Sequence, residues 1–414
     1  MKRIWNVIGN LLILAAVAAL AVVLVRFGGL RGEQAAPRVG AFQSPLGPTS
    51  PPPLRPTATV MGTPTASPTP LIWPTSTPKP TPTSSIPVGI RLVREIQLTT
   101  EDSGCPTWSP DGTKIAFCRS AGKAANISGV VVPLSELWVM DADGDSHRKL
   151  ADNGRWPAWS PDGKLIAYVS TIDEWRGEIW ITNLDGSEKR KIADAKHAPI
   201  QWAADGSIAF IQNEAITIMD EEATTMILLD SVKLLSYLSR ADFWLAPDGS
   251  KVAYWDESFL KISKIDDSRV ETVGEIEAPH MRNLTWSQDS SKIAYVSGIF
   301  VPQPELRVVN ADGSHKLLLA KAEMEHFNYI TWSPDNRFIA FTRCPTGSNM
   351  ASELEIYVVR AGGSEVFRLT NNHLSEAALA WSPSGTEIAF IRYGIEKLGE
   401  PGRTIWLAVL EETQ

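Results

Sequence analysis

Trp108-Ser109-Pro110-Asp111-Gly112-Thr113-Lys114-Ile115-Ala116-Phe117 is the stretch on which the fold turns. It spells strand, tight turn, strand. Ser109 opens the turn, Pro110 presets φ at the second position, and Gly112 can take the left-handed conformation that ends it. The flanking Trp and the Ile-Ala-Phe favour a pleated, buried surface. The pattern returns at Trp159-Ser160-Pro161-Asp162-Gly163, Trp332-Ser333-Pro334-Asp335-Asn336 and Trp381-Ser382-Pro383-Ser384-Gly385. Three worn copies open at Trp202, Leu245 and Trp286. The seven starts lie about 40 to 50 residues apart, a spacing that marks repeated supersecondary units.

Each hairpin is followed by a third segment with its own signature. Glu136-Leu137-Trp138-Val139 is answered by Glu178-Ile179-Trp180-Ile181, Glu305-Leu306-Arg307-Val308 and Glu355-Ile356-Tyr357-Val358, with weaker copies near Ala215, Phe259 and Thr404. A turn such as Asp185-Gly186 leads to a fourth segment such as Arg190-Lys191-Ile192. Four strands per repeat make one blade of a β-propeller. The seventh repeat lacks its fourth strand, and Glu95-Ile96-Gln97-Leu98-Thr99 matches Val366-Phe367-Arg368-Leu369-Thr370. The N-terminal strand is therefore expected beside Ile405–Val409, completing the last blade and locking the ring. The expected fold is all-β, a seven-bladed β-propeller over residues 91–414. A six-bladed ring with a degenerate seventh unit is the alternative.

The Trp-Ser-Pro-Asp-Gly-Lys-x-Ile-Ala-Phe pattern resembles the TolB-like β-propeller repeat, and the resemblance spans residues 91–414. It implies a non-catalytic binding or scaffold module for a protein, peptide or glycan, without a cofactor. TolB itself is six-bladed, so seven motifs are a departure. Oligogalacturonate lyases are similar in repeat type and imply the alternative, a metal-dependent enzyme acting at the channel mouth. That reading would enlist His197, His280, His326 and His373, which fall in the loops leading into inner strands but do not match the lyase motif one by one. Their converging imidazoles could hold a transition metal; solvated loop histidines are the plainer reading.

The net charge of −8 hides an asymmetry, because residues 1–90 carry +6 and the remainder −14. Phosphate binding needs a basic face, so an acidic propeller argues against nucleic acid. Only three cysteines are present. If Trp108 faces Ile115 across the turn, the same register sets Cys105 opposite Cys118. Two readings follow: a disulfide, suited to an oxidising compartment, or two small buried thiols.

Residues 1–3 form a short basic tail. Residues 4–25 are apolar except Asn6 and Asn10, and long enough to span a bilayer as a helix. The exit Arg26-Phe27-Gly28-Gly29 is a poor cleavage site, which favours an uncleaved, single-pass signal anchor with the propeller on the extracytoplasmic side. Residues 26–90 are rich in Pro, Thr and Ser and read as a disordered stalk, glycosylated or plain.

Around a ring, the Ser-Pro-Asp-Gly turns share one face; the second-to-third-strand loops and the connections between blades share the other. The second-to-third loops are long in blade one (Arg119 to Ser135), blade six (Arg343 to Glu353) and blade seven (Arg392 to Arg403), three consecutive blades. Loops on a rigid scaffold commonly carry function. The candidate ligand-binding residues on this irregular face are Arg119, Asn126, Trp156, Trp175, Arg343, Arg392, Tyr393 and Arg403. The repeated acids read as turn formers, and the blade-opening Trp residues as packing between blades. No Gly-x-Ser-x-Gly, phosphate loop or zinc-spaced set is present.

Overall fold

The computed structural model describes residues 89–413, except 128–129, 173–175, 197–199, 213–214, 220–225, 230–242, 257–258, 267–268, 278–282, 298–302, 323–326, 346–352, 364, 373 and 395–401. The expected membrane segment 4–25 and nearly all of the stalk thus lie outside the described residues. No helix among the described residues is long and apolar enough to cross a membrane.

The repeat fixes its own geometry through one hydroxyl. Ser109 Oγ donates to Asp111 Oδ1 (2.6 Å) and accepts from the Lys114 N–H (2.9 Å), while the Gly112 N–H closes the turn on the Ser109 carbonyl at 2.9 Å. Ser160, Ser287 and Ser333 repeat this arrangement, and Ser382 does so with Ser384 in place of the Asp. The residue ending the turn has φ between +70° and +88° at Gly112, Gly163, Gly206, Gly249 and Gly385. Asn336 and Ser290 take the same conformation at +61° and +56°.

These hairpins grow into seven four-stranded antiparallel sheets. Blades one to seven span residues 103–151, 155–196, 201–229, 243–277, 284–321, 327–368 and 375–413. The first strands of successive blades touch one another, so they are the innermost. A six-bladed ring is excluded.

The Ile-Ala-Phe triplet now has a reason. Ile115 and Phe117 enter the apolar cluster between blades seven and one, whereas Ala116 enters the one between blades one and two. The other blades alternate likewise, as with Ile339 and Phe341 against Ala340. Each blade presents large side chains to the preceding blade and a small one to the next, so the sheets interlock. One such cluster fills each of the seven interfaces.

The opening tryptophans staple neighbouring blades. Trp108, Trp159, Trp286 and Trp332 donate Nε1–H to the carbonyls of Ala380, Thr107, Trp244 and Thr285, at 3.0, 3.1, 2.9 and 3.1 Å. Blade four has Leu245 there. Gln201 of blade three replaces the staple, donating to the Phe243 carbonyl (2.7 Å) and accepting from the Leu245 N–H (2.8 Å).

Closure follows the expectation. The strand Gly89–Gln97 pairs antiparallel with Arg403–Thr413, with Glu95 opposite Ala408 and Gln97 opposite Trp406. Thr99 Oγ1 accepts from the Ile405 N–H at 2.8 Å, as Thr370 Oγ1 does from the Ile356 N–H at 2.8 Å in blade six. The strand begins at Gly89, within the stretch assigned to the stalk.

Two expectations need correction. Cys105 does not face Cys118: the register shifts between Gly104 and Thr107, so Gly104 opposes Cys118. Cys105 sits in a bulge at φ +54°, and both thiols are free in this structure. The expected blade-one loop from Arg119 to Ser135 is instead a β-ribbon. Its strands Lys114–Ile127 and Val130–Asp141 stay paired out to Ile127 and Val130.

Candidate functional site

The irregular face is where second strands end and inner strands begin. Three of its candidate arginines are engaged elsewhere. Arg392 is only 5 % exposed, with its guanidinium 4.5 Å over the Trp406 ring. It donates to Glu376 Oε1 (2.5 Å) and to both oxygens of Glu95 (2.6 and 3.1 Å). Glu376, fully buried, also accepts from Thr370 Oγ1 (2.5 Å) and Asn372 Nδ2 (2.8 Å). Burial pushes the Glu376 carboxyl above its ordinary value, against the pull of these donors. Arg403 grips Asp102 through two bonds of 2.8 and 3.1 Å, and Arg119 pairs with Glu101 at 3.0 Å while lying 4.9 Å over Trp138. Glu95, Glu101 and Asp102 all belong to the segment that closes the ring. Arg392 thus fastens the closing segment, and Arg119 and Arg403 clamp the same segment.

Arg343 differs. Its guanidinium lies 4.4 Å over Tyr357, and its buried Nε has no acceptor among the described residues. Beneath it, Phe327 meets Phe341 edge-on at 5.3 Å and Phe341 stacks on Tyr357 at 5.8 Å. Tyr393 is half-buried, opposite Ser375 and Arg403. Asn126 lies on the ribbon opposite Val131. Trp175, His197, His280, His326 and His373 lie outside the described residues. Among the described residues, no group of three His, Cys, Asp or Glu is placed to hold a metal.

One feature of the inner wall escaped sequence reasoning. Cys105, Trp156, Tyr329 and Ala378 each stand three residues before their blade's Trp, and each has φ between +44° and +54°. Each sits where the pairing of the first two strands slips. The four blades, six, seven, one and two, are consecutive, so the bulges form a half-ring around the channel. A left-handed Trp or Tyr is costly, and such strain concentrates at functional positions. Tyr329 is 43 % exposed, whereas Trp156 is half-buried against the cluster between blades two and three. The fixed offset of three from the Trp was visible in sequence; the left-handed conformation was not.

No family model and no curated protein matches the chain. Solved structures do. The β-propeller domain of Cps50 (Swd1) from Myceliophteria thermophila is 14 % identical, covering 78 % of this chain and 100 % of that one, with a TM-score of 0.54. The β-propeller domain of the Trilobed protease from Pyrococcus furiosus, which has an open velcro topology, is 16 % identical over 76 % and 98 %, with a TM-score of 0.56. Oligogalacturonate lyase from Vibrio parahaemolyticus is 13 % identical over 78 % and 97 %, also with a TM-score of 0.56. At these identities the likeness shows the fold alone. The chain is a seven-bladed β-propeller of four-stranded blades, closed by its N-terminal strand.

Proposed function

We propose that this propeller is a non-catalytic binding module of the TolB-like repeat type, tethered to a membrane through residues 4–25 with the ring on the extracytoplasmic side. Its ligand is a protein or peptide segment, held at the irregular mouth of the channel beside blades six, seven, one and two. The observation that carries this reading is the half-ring of left-handed inner positions, with Tyr329 exposed. An exposed Tyr supplies rigid amphipathic contact area, and the Arg343 guanidinium is not tied to the closing segment, so it suits an acidic group on the ligand. The repeated short turns of the opposite face spend their polar atoms on themselves.

The test is affinity selection from a random peptide library on the immobilised full chain. Selected peptides should lose on the order of tenfold in affinity with Tyr329→Ala or Arg343→Ala, and keep it with Asp335→Asn on the opposite face. Equal affinity across all three variants, or stoichiometric metal in the purified protein, would overturn the reading.

A further inference from the structure

Cys105 and Cys118 occupy a place that neither the closure nor the proposed binding role uses. The bulge takes Cys105 out of the ladder and turns it left-handed on the innermost strand, where it remains partly exposed. Cys118, on the second strand, is buried. Gly104, the chain neighbour of Cys105, is paired with Cys118, so the bulge sets the two cysteines beside each other on adjoining strands. Arg155 and Arg403 add positive charge beside the pair. We propose that Cys105 and Cys118 form a hydroperoxide-reactive dithiol, with Cys105 as the attacking thiolate and Cys118 as the resolving thiol.

The environments divide the labour. Cys118 is the largest influence holding the Cys105 thiol below its ordinary value; burial opposes it, and the Trp156 backbone N–H and the two arginines act with it. Burial pushes the Cys118 thiol well up, so it keeps its proton. The thiolate of Cys105 attacks one peroxide oxygen, the O–O bond breaks, and the departing alkoxide or hydroxide takes a proton. Cys105 is left as a sulfenic acid. The Cys118 sulfur then attacks the Cys105 sulfur, and hydroxide leaves to combine with the Cys118 proton as water. In sum two thiols are oxidised to a disulfide and one hydroperoxide is reduced to an alcohol and water, or to two waters from hydrogen peroxide. The new bond would tie the first and second strands of blade one beside the half-ring of bulges.

The experiment uses the full chain, reduced and freed of reductant, then treated with a slight excess of hydrogen peroxide and quenched with an alkylating agent. Two of the three thiols should become resistant to alkylation, with peptide mapping joining Cys105 to Cys118. Cys118→Ser should stop at a sulfenic acid on Cys105, captured by dimedone. Cys105→Ser should slow thiol loss by at least about tenfold, while Cys344→Ser oxidises like the parent. Survival of all three thiols, reaction first at Cys344, or parental rates in Cys105→Ser would overturn the proposal. Should Cys105→Ser fail to fold, the dimedone label decides, and its absence from Cys105 in Cys118→Ser counts against the proposal.

Discussion

Trp159 and Trp381 occupy the same place in their repeats and differ by one hydrogen bond. Trp159 Nε1 reaches the Thr107 carbonyl at 3.1 Å, whereas Trp381 Nε1 is buried without an acceptor among the described residues. Replacement by Phe removes similar apolar area from both, so the difference isolates the bond. Trp159→Phe should cost about 1 kcal/mol more than Trp381→Phe, read from urea unfolding at matched slopes. The turn acids make a second residue-scale case. Lys164 first, then Ser160 and the Lys164 N–H, hold the Asp162 carboxyl down at about 2, from 3.8. The unfolded state therefore takes up this proton at higher pH than the folded state does. The stability it confers is complete above 3.8 and is lost as pH falls towards about 2. Asp162→Asn should flatten that part of the acid limb in a thermal-midpoint series from pH 5 to pH 2. A limb as steep as the parent's would show that the turn bonds carry no such linkage.

The elements show what could be read in advance and what could not. The blades were legible because their turn chemistry is local: Ser, Pro, Asp and Gly act within five residues, and the Ile-Ala-Phe alternation follows directly. The closing strand was legible because Leu98-Thr99 copies Leu369-Thr370, down to the same threonine bond. The roles of Arg392 and Arg403 were not, because their partners Glu95 and Asp102 lie about 300 residues away in the chain. The blade-one ribbon was hidden by Gly122, Gly129 and Pro133, which read as loop. The left-handed bulges were hidden because Cys, Trp, Tyr and Ala carry no local mark of that conformation. The lock itself can be tested as a unit. Arg392→Met leaves the fully buried Glu376 without its cation and should cost about 3–5 kcal/mol. Adding Glu376→Leu should recover most of that loss in the same urea titration, because the remaining partner, Glu95, is partly solvated. A double variant as weak as the single one would show that packing against Trp406, not charge, is what Arg392 supplies.

At the scale of the whole molecule, the two flat ends of the disc are chemically unlike. One end is a set of nearly identical turns that satisfy their own polar groups. The other gathers the ribbon, the clamp on residues 95–102 and the half-ring of strained inner positions, all within blades six, seven, one and two. The asymmetry arises because closure and the bulges share the same blades, so the buried Arg392–Glu376 fastening lies beside the left-handed inner positions. Strain of this kind persists only where its surroundings over-determine it.

Gly89 and Thr413 face each other as the outermost partners of the clasp. A two-residue hairpin could splice them, and the polypeptide could be reopened between Thr99 and Ser103 to give a circular permutant. Every blade would then be a single uninterrupted stretch of chain. Such a permutant would hold its first and last blades together by side-chain packing, ion pairs and the Trp108 staple to Ala380, without a shared covalent thread.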